Sequence, residues 1–363
     1  MGSEMCIRDR NNISKLINSF SIFYLELMMK KPIGEHISVN ENSPKYDDNV
    51  VKLSGVKNEP FKTSEEAEGV CSVVIVSYKT GEILMDCIRS VLEQNRLHQL
   101  ILVDNGNSKH TVQLLNEIAD NEPKFEIITG HGNVGFSKGC NLGVRRARGE
   151  YILLLNPDSI LHSNTLDPAI KVFQTHPSTS ALTVRMENTD GTEQRGARRN
   201  LMTPWTCCVE QFRLDRFAPN HPHFQRLNLN ETRPLTEITP VQCISGAFML
   251  IPKKVYLELG GMDEDYFLHV EDIDFCMRIE KMGGSILYLP TVSVTHKRST
   301  SDIYPGIIEW HKARSFCKYF GKHFTKQYPN WALRVLSLAI YLRLLLRLPT
   351  ITFSWLIGKF WQR

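Results

Sequence analysis

Two acidic residues of this 363-residue chain stand at the ends of short apolar runs. Asp104 directly follows residues 99–103, and Asp158 follows residues 151–155 after one Asn-Pro pair. Such runs are typical of buried strands, and open α/β sheets bind their ligands at the carboxyl ends of strands. An Asp after a strand is also a common turn residue, so the pattern alone leaves a ligand site and a turn open.

Three further acids, Glu271, Asp272 and Asp274, occupy the start of a pattern that predicts a helix. Acids at this end of a helix favour its dipole and could serve only as caps. Three of them exceed what a cap requires, and Arg278 stands four residues after Asp274, where the two can pair on one helix face. That pair would make Asp274 structural and leave Asp272 free for proton transfer.

Two other polar features admit more than one role. His296 ends the apolar run 292–295, and a single histidine there is more often a surface or core residue than a ligand. Residues 130–143 contain five glycines, and a helix is predicted at 141–148. Such a loop binds phosphate through its backbone N–H groups or simply makes a tight connection, and it matches neither the Walker motif nor GxGxxG.

The elements that would position these residues alternate between strand and helix. Apolar and β-branched runs predict strands at residues 71–77, 99–103 and 125–129. Helical patterns at 84–92 and 111–119 lie between them. This order predicts a parallel sheet with right-handed crossovers, in which the two Asp-bearing turns lie on one edge.

The second half of the chain is mixed. The strand predicted at residues 241–251 is interrupted at Ser245 and Gly246, which indicates close approach of a ligand or of another backbone. Residues 200–239 show no steady period and are interpreted as a variable subdomain or a flap over the site. The remaining predicted elements are a helix at 166–175 and strands at 180–186, 285–289 and 292–295.

Composition divides the chain into three parts. Residues 1–69 are predicted to be a flexible extension, of which 1–10 resemble a non-native remnant, and the globular domain follows at 70–326. The tail, 327–363, is apolar and basic, since ten Lys or Arg and no Asp or Glu follow Glu309. This charge indicates an anionic surface as partner and not a nucleic-acid groove.

Nine scattered cysteines without a C-x-x-C pair favour neither a zinc site nor a disulfide framework, and indicate a cytoplasmic protein.

Within the tail, Arg334, Arg343 and Arg347 divide an apolar stretch, and Pro349 is expected to break its helix. On a helical projection Arg334 and Arg343 fall on opposite sides, so no clean amphipathic stripe is expected. A helix buried against the domain is one interpretation. Because aromatic and basic residues lie at its margins and acids are absent, we favour peripheral association with the inner face of a membrane.

Taken in order, seven motifs of this chain resemble glycosyltransferase family 2, specifically its bacterial rhamnosyltransferase-like branch. The resemblance covers residues 70–326. It implies the α/β GT-A fold, a single, mostly parallel nucleotide-binding sheet flanked by helices, with an acceptor-side region beside it. It also implies inversion at the anomeric carbon of the transferred sugar. The motifs are SVVIVSYKT, LILVDNGN, GHGNVGFSKGCNLG, ILLLNPDS, CISGAFMLIPKKV, GGMDEDYFLHVEDIDFCMRI and VTHKRSTS.

The resemblance also implies a set of residues that contact the nucleotide sugar. Three match the pocket behind the first strand, three match the glycine-rich loop alongside the sugar, and Asp104 matches the acid that contacts the base or ribose. Ser245 and Gly246 of the interrupted strand are counted with this set, as is Asn156. The expected donor-binding residues are Val76, Ser77, Tyr78, Asp104, Asn133, Gly135, Asn141, Asn156, Ser245 and Gly246.

A metal site and a base follow from the same resemblance. Many relatives carry two Asp where this chain has Asn156 and Asp158, so the implied metal ligands are Asp158 and His296. They would bind Mg²⁺ or Mn²⁺ together with diphosphate and water, and the cation would stabilise the charge of the leaving diphosphate. Asp272 is the expected general base for the acceptor hydroxyl, with Glu271 as the neighbouring candidate.

The expected function is inverting, metal-dependent transfer of a sugar to a lipid-linked or polysaccharide acceptor in bacterial surface glycan synthesis. Rhamnose from a thymidine diphosphate donor is the expected sugar, with galactofuranose, glucose and N-acetylhexosamine left open. One alternative is a sugar nucleotidyltransferase, which should carry a glycine- and arginine-rich loop where this chain has Tyr-Lys-Thr. The other is a non-catalytic glycan-binding protein on a decayed transferase fold, against which the joint presence of Asp104, Asp158, Asp272 and His296 argues.

Overall fold

The computed structural model describes residues 67–216, 221, 224, 227–230, 234–297 and 303–361. The described residues up to Leu344 belong to one compact unit, and those from Leu345 onwards are counted with a second. The predicted N-terminal extension lies outside the described residues except for its last three positions, which are already part of the first strand.

Eleven strands occur in the described part of the chain, and nine of them form one sheet. Along this sheet the order is β3-β2-β1-β4-β10-β6-β11-β5, and β8 pairs with β11. The strands are β1 (Ala67–Ser77), β2 (Leu97–Asp104), β3 (Phe125–Ile128), β4 (Gly149–Leu155), β5 (Ser159–Leu161), β6 (Thr179–Glu187), β7 (Arg198–Arg199), β8 (Thr239–Pro240), β9 (Cys243–Ile244), β10 (Phe248–Pro252) and β11 (Ser285–His296).

Nine α-helices are described with these strands, and a 3₁₀ turn follows the fifth at Leu214–Arg216. The helices are α1 (Ile83–Leu92), α2 (Lys109–Asn121), α3 (Phe136–Val144), α4 (Leu166–Thr175), α5 (Pro204–Phe212), α6 (Lys253–Glu258), α7 (Glu271–Lys281), α8 (Pro305–His323) and α9 (Asn330–Trp361).

The predicted parallel sheet is confirmed in its first half. β3, β2, β1 and β4 run parallel, as do β6 and β11, while β10 runs antiparallel between β4 and β6. Their apolar side chains are buried because helices cover the sheet, and continuous apolar runs such as Val73 to Val76 are what such strands require. The carboxyl ends of β1 and β2 therefore lie side by side, with Ser77 opposite Asp104.

The helix of the glycine-rich loop begins earlier than expected. α3 starts at Phe136 and not at residue 141, after Gly135 with a φ of 87°. A Cβ on Gly139 would lie 2.7 Å from the Val76 side chain, and one on Gly143 would lie 2.4 Å from the Val74 side chain. Two of the five glycines therefore lie inside the helix and allow it to pack directly on β1, which is a structural role and not a phosphate cradle.

Three predicted strands differ from the structure. The expected strand at 241–251 divides at Ser245 and Gly246, because β9 leaves the main sheet to pair with β7 while β10 pairs with β4. The two short strands expected at 285–289 and 292–295 are one strand, β11, whose register against β6 shifts between Leu289 and Ser293. Both differences change the direction in which site residues leave the sheet.

The C-terminal helix corrects the expected break at Pro349 and exposes an apolar stripe. α9 continues through Pro349, which removes one backbone hydrogen bond and leaves its neighbours in place. Its exposed apolar side chains recur at helical spacings, so an apolar stripe is present, and the arginines that fall on opposite sides flank that stripe. Leu333, Ile340 and Leu344 are buried on the other side of the helix. The exposed stripe consists of Trp331, Val335, Leu338, Leu342, Leu345, Leu346, Phe353, Leu356, Ile357 and Phe360.

Candidate active site

Asp158 and His296, the expected metal ligands, lie next to each other. The loop after β4 carries Asp158 into β5, and β5 pairs antiparallel with the end of β11, so that Ser159 stands opposite His296. Asp158 Oδ1 lies 3.0 Å from His296 Nε2. Only 7% of Asp158 and 9% of His296 is exposed. Two residues 138 positions apart in sequence are thus brought into one partly dry site.

Gln194 determines which nitrogen of His296 faces the aspartate. Gln194 Nε2 donates to the His296 carbonyl at 3.0 Å, so its Oε1, 2.6 Å from His296 Nδ1, accepts the ring hydrogen. Nε2 is therefore the ring nitrogen that faces the Asp158 carboxylate, at 3.0 Å from Oδ1. The Asn156 amide Nδ2 lies 3.3 Å from the same Nε2.

The donor set fits a hard divalent cation. One carboxylate and one neutral imidazole suit Mg²⁺ or Mn²⁺, and ligands about 2.1 Å from an octahedral ion lie about 3.0 Å apart when adjacent. No cluster of three or more His, Cys, Asp or Glu that would hold a metal unaided occurs among the described residues. The remaining ligands would therefore have to come from substrate and water.

Asp272 lies in the first turn of α7 with its carboxylate held by the chain. Its Oδ2 accepts from Arg199 Nη2 at 2.6 Å and from the Gly246 N–H at 3.3 Å, and its Oδ1 accepts from the Ile273 N–H at 2.8 Å. Burial alone would raise the pKa of Asp272, but the charge and hydrogen bond of Arg199, helped by the two N–H groups, lower it. Asp272 is therefore an ionised carboxylate at neutral pH.

Glu271, the neighbouring candidate, has a different environment. It is 7% exposed, and its Oε2 has no hydrogen-bond partner among the described residues. Burial, and then the negative charge of Asp272, raise the pKa of Glu271 well above its usual range. At neutral pH the two adjacent acids thus differ in ionisation, and Asp272 is the one able to accept a proton.

The turn that enters α7 is strained. His269 and Val270 have φ values of 67° and 74°, a left-handed conformation that is unfavourable for residues other than glycine. Just before them, the carbonyl of Phe267 accepts a hydrogen bond from the Phe136 N–H at 2.8 Å. The ring of Phe267 stacks on His311. The glycine-rich loop and α8 therefore fix the turn that presents Glu271 and Asp272.

One backbone turn connects the two acidic groups. The Gly246 N–H contacts Asp272, while the carbonyl of the next residue, Ala247, accepts from the Asn156 N–H at 3.1 Å and from Ser159 Oγ at 3.3 Å. Ser245 Oγ accepts from the Ala247 N–H and closes this turn. The break in the expected strand at Ser245 and Gly246 is thus the place where Asp272 and the Asp158 loop contact the same turn.

Asp274 is the structural member of the acidic cluster, as expected. Arg278 Nε donates to its Oδ2 at 2.8 Å, and Lys322 and His323 from α8 each approach its Oδ1 at 2.7 Å. Burial would raise its pKa, but the hydrogen bonds from His323 and Lys322 and the charge of Arg278 hold it well below its usual range. Asp274 therefore ties α7 to α8 and is not available for chemistry.

The residues expected to bind the nucleotide meet at the ends of β1 and β2. Asp104 Oδ1 accepts from the N–H groups of Gly106 and Asn107 at 3.0 and 2.8 Å, and its Oδ2 accepts from Thr129 Oγ1 at 3.0 Å. Ser77 Oγ joins the same turn through Asn107. Asp104 is thus a cap of its own turn, and its contact with a base or ribose stays a prediction.

Four further donor-binding candidates are placed by packing. The Val76 side chain is buried beneath Gly139, and the Tyr78 ring lies against Gly106. Asn133 Oδ1 accepts from the Gly135 N–H at 3.1 Å and shapes the start of α3.

Asn141 faces away from the other candidates. Its Oδ1 accepts from Tyr256 and Met262, and its Nδ2 donates to Met262 and Glu264. The side chain of Asn141 thus anchors the segment after α6, and a role toward the donor stays a prediction.

Two residues of the site were not expected from the sequence. Arg199 was visible only as part of a basic stretch at 195–199, and Gln194 carried no signal of its own. Both contact residues that are distant in sequence, namely Asp272 and His296, so that only the fold brings them together.

Comparison with known proteins agrees with this geometry. The profile of "Glycosyl transferase family 2" matches residues 72–260. The chain is 25% identical over 246 residues to the N-acetylglucosaminyl-diphospho-decaprenol L-rhamnosyltransferase of Mycobacterium tuberculosis, covering 64% of this chain and 77% of that protein. It is 24% identical over 258 residues to the rhamnosyltransferase WbbL of Escherichia coli, covering 67% of this chain and 90% of that protein.

Among solved structures, the chain is similar to GalNAc-T7 crystallised with UDP, GalNAc and Mn²⁺. The TM-score is 0.51 at 16% sequence identity, covering 69% of this chain and 47% of that chain, so this protein spans about half of that one. At this identity the likeness concerns the fold alone. The expected GT-A arrangement of a central sheet flanked by helices is confirmed.

Proposed function

The chain belongs to glycosyltransferase family 2, and we propose that it transfers a sugar from a nucleotide diphosphate donor to a glycan hydroxyl with inversion at the anomeric carbon. The observation that carries this proposal is the single turn at Gly246 and Ala247, which holds Asp272 on one side and the Asp158 loop on the other. A base and a place for a diphosphate are thus held in one rigid frame.

In the proposed reaction Asp272 accepts the proton of the attacking hydroxyl. The acceptor oxygen forms a bond to the anomeric carbon, and the bond from that carbon to the diphosphate breaks on the opposite face. Asp158 and His296 would hold Mg²⁺ or Mn²⁺, which supplies positive charge for the leaving diphosphate. The chain contributes an ionised base, an imidazole oriented by Gln194, and a site with little exposure to water.

For the substrates, we propose rhamnose from a thymidine diphosphate donor and an acceptor carried on a lipid diphosphate. Both named relatives are rhamnosyltransferases, and the name of the mycobacterial one includes a decaprenol diphosphate acceptor. Residues 200–239 directly follow Arg199 in the sequence, and Arg199 contacts the proposed base Asp272. This proximity in sequence supports a role for them in binding the acceptor.

A location at the inner face of the membrane, in the cytoplasm, fits such an acceptor. α9 is about 48 Å long at 1.5 Å per residue, more than a hydrocarbon core of about 30 Å needs. Its exposed apolar stripe is flanked by Arg334 and Lys359 on one side and by Arg343 and Arg347 on the other. Basic margins beside an apolar stripe favour a helix that lies in the plane of an anionic membrane surface. By length and composition alone, α9 would also be able to span a membrane.

Donor binding tests the proposal first. The full chain is heated with a panel of thymidine, uridine and guanosine diphosphate sugars, with Mg²⁺, with Mn²⁺ or with a chelator. A ligand at 100 times its Kd should add about 2.7 kcal/mol to the free energy of unfolding, a readily measured shift in Tm. We expect a metal-dependent shift with one nucleotide class.

Asp158→Ala should weaken that shift, whereas Asp190→Ala, at an exposed turn residue, should leave it unchanged. No shift with any donor would refute metal-assisted transfer and favour the glycan-binding alternative. Analysis of the reaction products distinguishes a glycosyltransferase from a sugar nucleotidyltransferase. The first releases nucleoside diphosphate, whereas the second forms or consumes pyrophosphate.

A further inference from the structure

Arg199 stands at the end of β7, on the short sheet beside the main one. β7 pairs with β9, and Arg199 lies opposite Cys243. Its Nη2 donates both to the Ile244 carbonyl of β9, at 2.9 Å, and to Asp272 Oδ2 of α7, at 2.6 Å. The side chain is 13% exposed, so the guanidinium joins a strand carbonyl and a carboxylate with little water nearby.

The hydrogen bonds to Asp272 leave one direction of approach open. A carboxylate has about four acceptor positions. Among the described residues, Arg199 and the Gly246 N–H occupy those of Oδ2, and the Ile273 N–H occupies one of Oδ1. The acceptor position that remains is on Oδ1, where an incoming hydroxyl would bind. Arg199 determines the orientation of Oδ1 because it holds Oδ2 of the same carboxylate.

Arg199 is also the cation that faces this carboxylate. The other titratable groups beside Asp272 are Glu271 and Cys276 of its own helix and His269 of the preceding turn. Burial raises the pKa of Cys276 and lowers that of His269 to about 4, so both are neutral at pH 7. Of these groups, Arg199 alone carries the positive charge that offsets the burial of Asp272.

From this geometry we infer that Arg199 is a positioning residue that holds Asp272 in its ionic form and aims Oδ1 at the acceptor hydroxyl. The inference rests on the proposed role of Asp272 as the base. Arg199 does not touch substrate in this account. The acceptor O–H bond breaks and its proton moves to Asp272 Oδ1, while the acceptor oxygen forms a bond to the anomeric carbon. The bond from that carbon to the diphosphate oxygen breaks, and the nucleoside diphosphate leaves with its electron pair.

The test compares kcat/KM of Arg199→Met with that of the unaltered enzyme as a function of pH. Without the guanidinium, burial raises the pKa of Asp272, so the variant should lose activity at pH 6 and recover as the pH rises. The kcat/KM of the unaltered enzyme divided by that of Arg199→Met should increase by up to about tenfold for each pH unit below the raised pKa of Asp272. The largest expected ratio is the total contribution of base catalysis, about 10²- to 10⁴-fold. Arg199→Lys, which keeps the charge, should restore much of the activity at pH 6.

Arg198→Met is the matched control. Arg198 lies in the same strand, is more deeply buried than Arg199 and pairs with Glu193 at 2.6 Å, so its loss also breaks a buried ion pair. Any loss of activity in this control should be the same at every pH. A pH-independent ratio for Arg199→Met, with the fold retained by circular dichroism, would overturn the inference and leave Arg199 a packing residue.

A second measurement does not depend on activity and also covers a variant that folds poorly at low pH. Carboxyl ¹³C NMR with labelled aspartate, assigned with Asp272→Asn, should show Asp272 titrating at higher pH in Arg199→Lys and higher still in Arg199→Met. If this shift occurs but no donor is turned over by the unaltered chain, the proposed function fails and the ionic role of Arg199 stands. Turnover with an unshifted Asp272 resonance refutes that role of Arg199.

Discussion

At the scale of single residues, Asp272 is distinguished from Glu271 by one neighbour. The two acids are consecutive and both are largely buried, yet Arg199 pairs with Asp272, whereas Glu271 forms no ion pair with any residue that the structure describes. A buried carboxyl without a charge partner takes up a proton, whereas a paired one stays ionised. These environments favour Asp272 over Glu271 as the expected base, a role that stays a prediction.

Replacement of Asp272 by Asn tests this choice. The amide keeps the shape of the side chain and still accepts a hydrogen bond from Arg199, but it cannot take a proton. We expect kcat to fall by about 10²- to 10⁴-fold while donor affinity stays within a few-fold. Nucleoside diphosphate release gives kcat, and calorimetric titration of the donor gives Kd.

The control for Asp272→Asn is Asp274→Asn, on the same helix. Asp274 is fully buried and paired with Arg278, Lys322 and His323, so this variant should lose stability without losing turnover per folded molecule. If Asp272→Asn keeps its turnover and Glu271→Gln loses it, the base is Glu271.

Residue pairs were predictable from the sequence only where a local pattern or a motif marked both partners. The pairing of Asp274 with Arg278 follows from a spacing of four on one helix, and it is confirmed. The closeness of Asp158 and His296 was implied by family motifs. The contact of Arg199 with Asp272 spans 73 positions and depends on β7, a strand too short to have a periodicity.

At the scale of elements, α3 is placed by its glycines. Gly139 and Gly143 allow the helix to approach β1 so closely that a Cβ on either would overlap a valine side chain. This packing holds the start of α3 against Phe267, and so supports the turn into α7. The helix begins earlier than the sequence predicts, because glycine disfavours helices and tertiary packing overrides that preference here.

Gly143→Ala should therefore destabilise the protein by about 1–3 kcal/mol through overpacking, even though alanine is the better helix former. Gly321→Ala is the matched control, because Gly321 is inside α8 and a Cβ there meets no atom within 4 Å. That variant should gain up to about 1 kcal/mol. Urea unfolding curves measure both changes, and equal effects of the two substitutions would contradict the packing role of Gly143.

The order and type of most elements in the sheet domain were predictable, since long apolar runs and helical periods mark them. α4 was predicted at its observed bounds. The division of β9 from β10 and the pairing of β9 with β7 were not predictable, because two-residue strands are stabilised by their tertiary partners. These short elements carry Arg199 and Gly246, so the least predictable part of the fold positions the proposed base.

At the scale of the whole molecule, charge and apolar surface are unevenly distributed. Acidic residues are absent after Glu309, and α9 exposes an apolar stripe between basic margins. The apolar and basic character was predictable from the sequence, and the helix is apolar on its exposed and its buried face. The arginines lie on the two flanks of the exposed stripe, and side chains on both flanks can extend to the headgroups of one membrane surface.

We expect the full chain to sediment with vesicles that contain phosphatidylglycerol and much less with phosphatidylcholine alone. Binding should weaken in 1 M salt, where the screening length falls from about 10 Å to about 3 Å. Leu338→Ser, Leu342→Ser and Leu346→Ser together should lower binding, because each exposed leucine contributes apolar area. Leu257→Ser removes an equally exposed leucine from α6 and should not.

Carbonate extraction then decides how α9 meets the bilayer, because it releases helices that lie on the surface and leaves spanning helices in place. Release at high pH would agree with a helix in the plane of the membrane, with its basic flanks at the headgroups. Retention would assign a spanning helix. Undiminished vesicle binding by the triple variant would contradict any role of the stripe in membrane binding, and self-association that the triple variant abolishes would show that a second copy covers it.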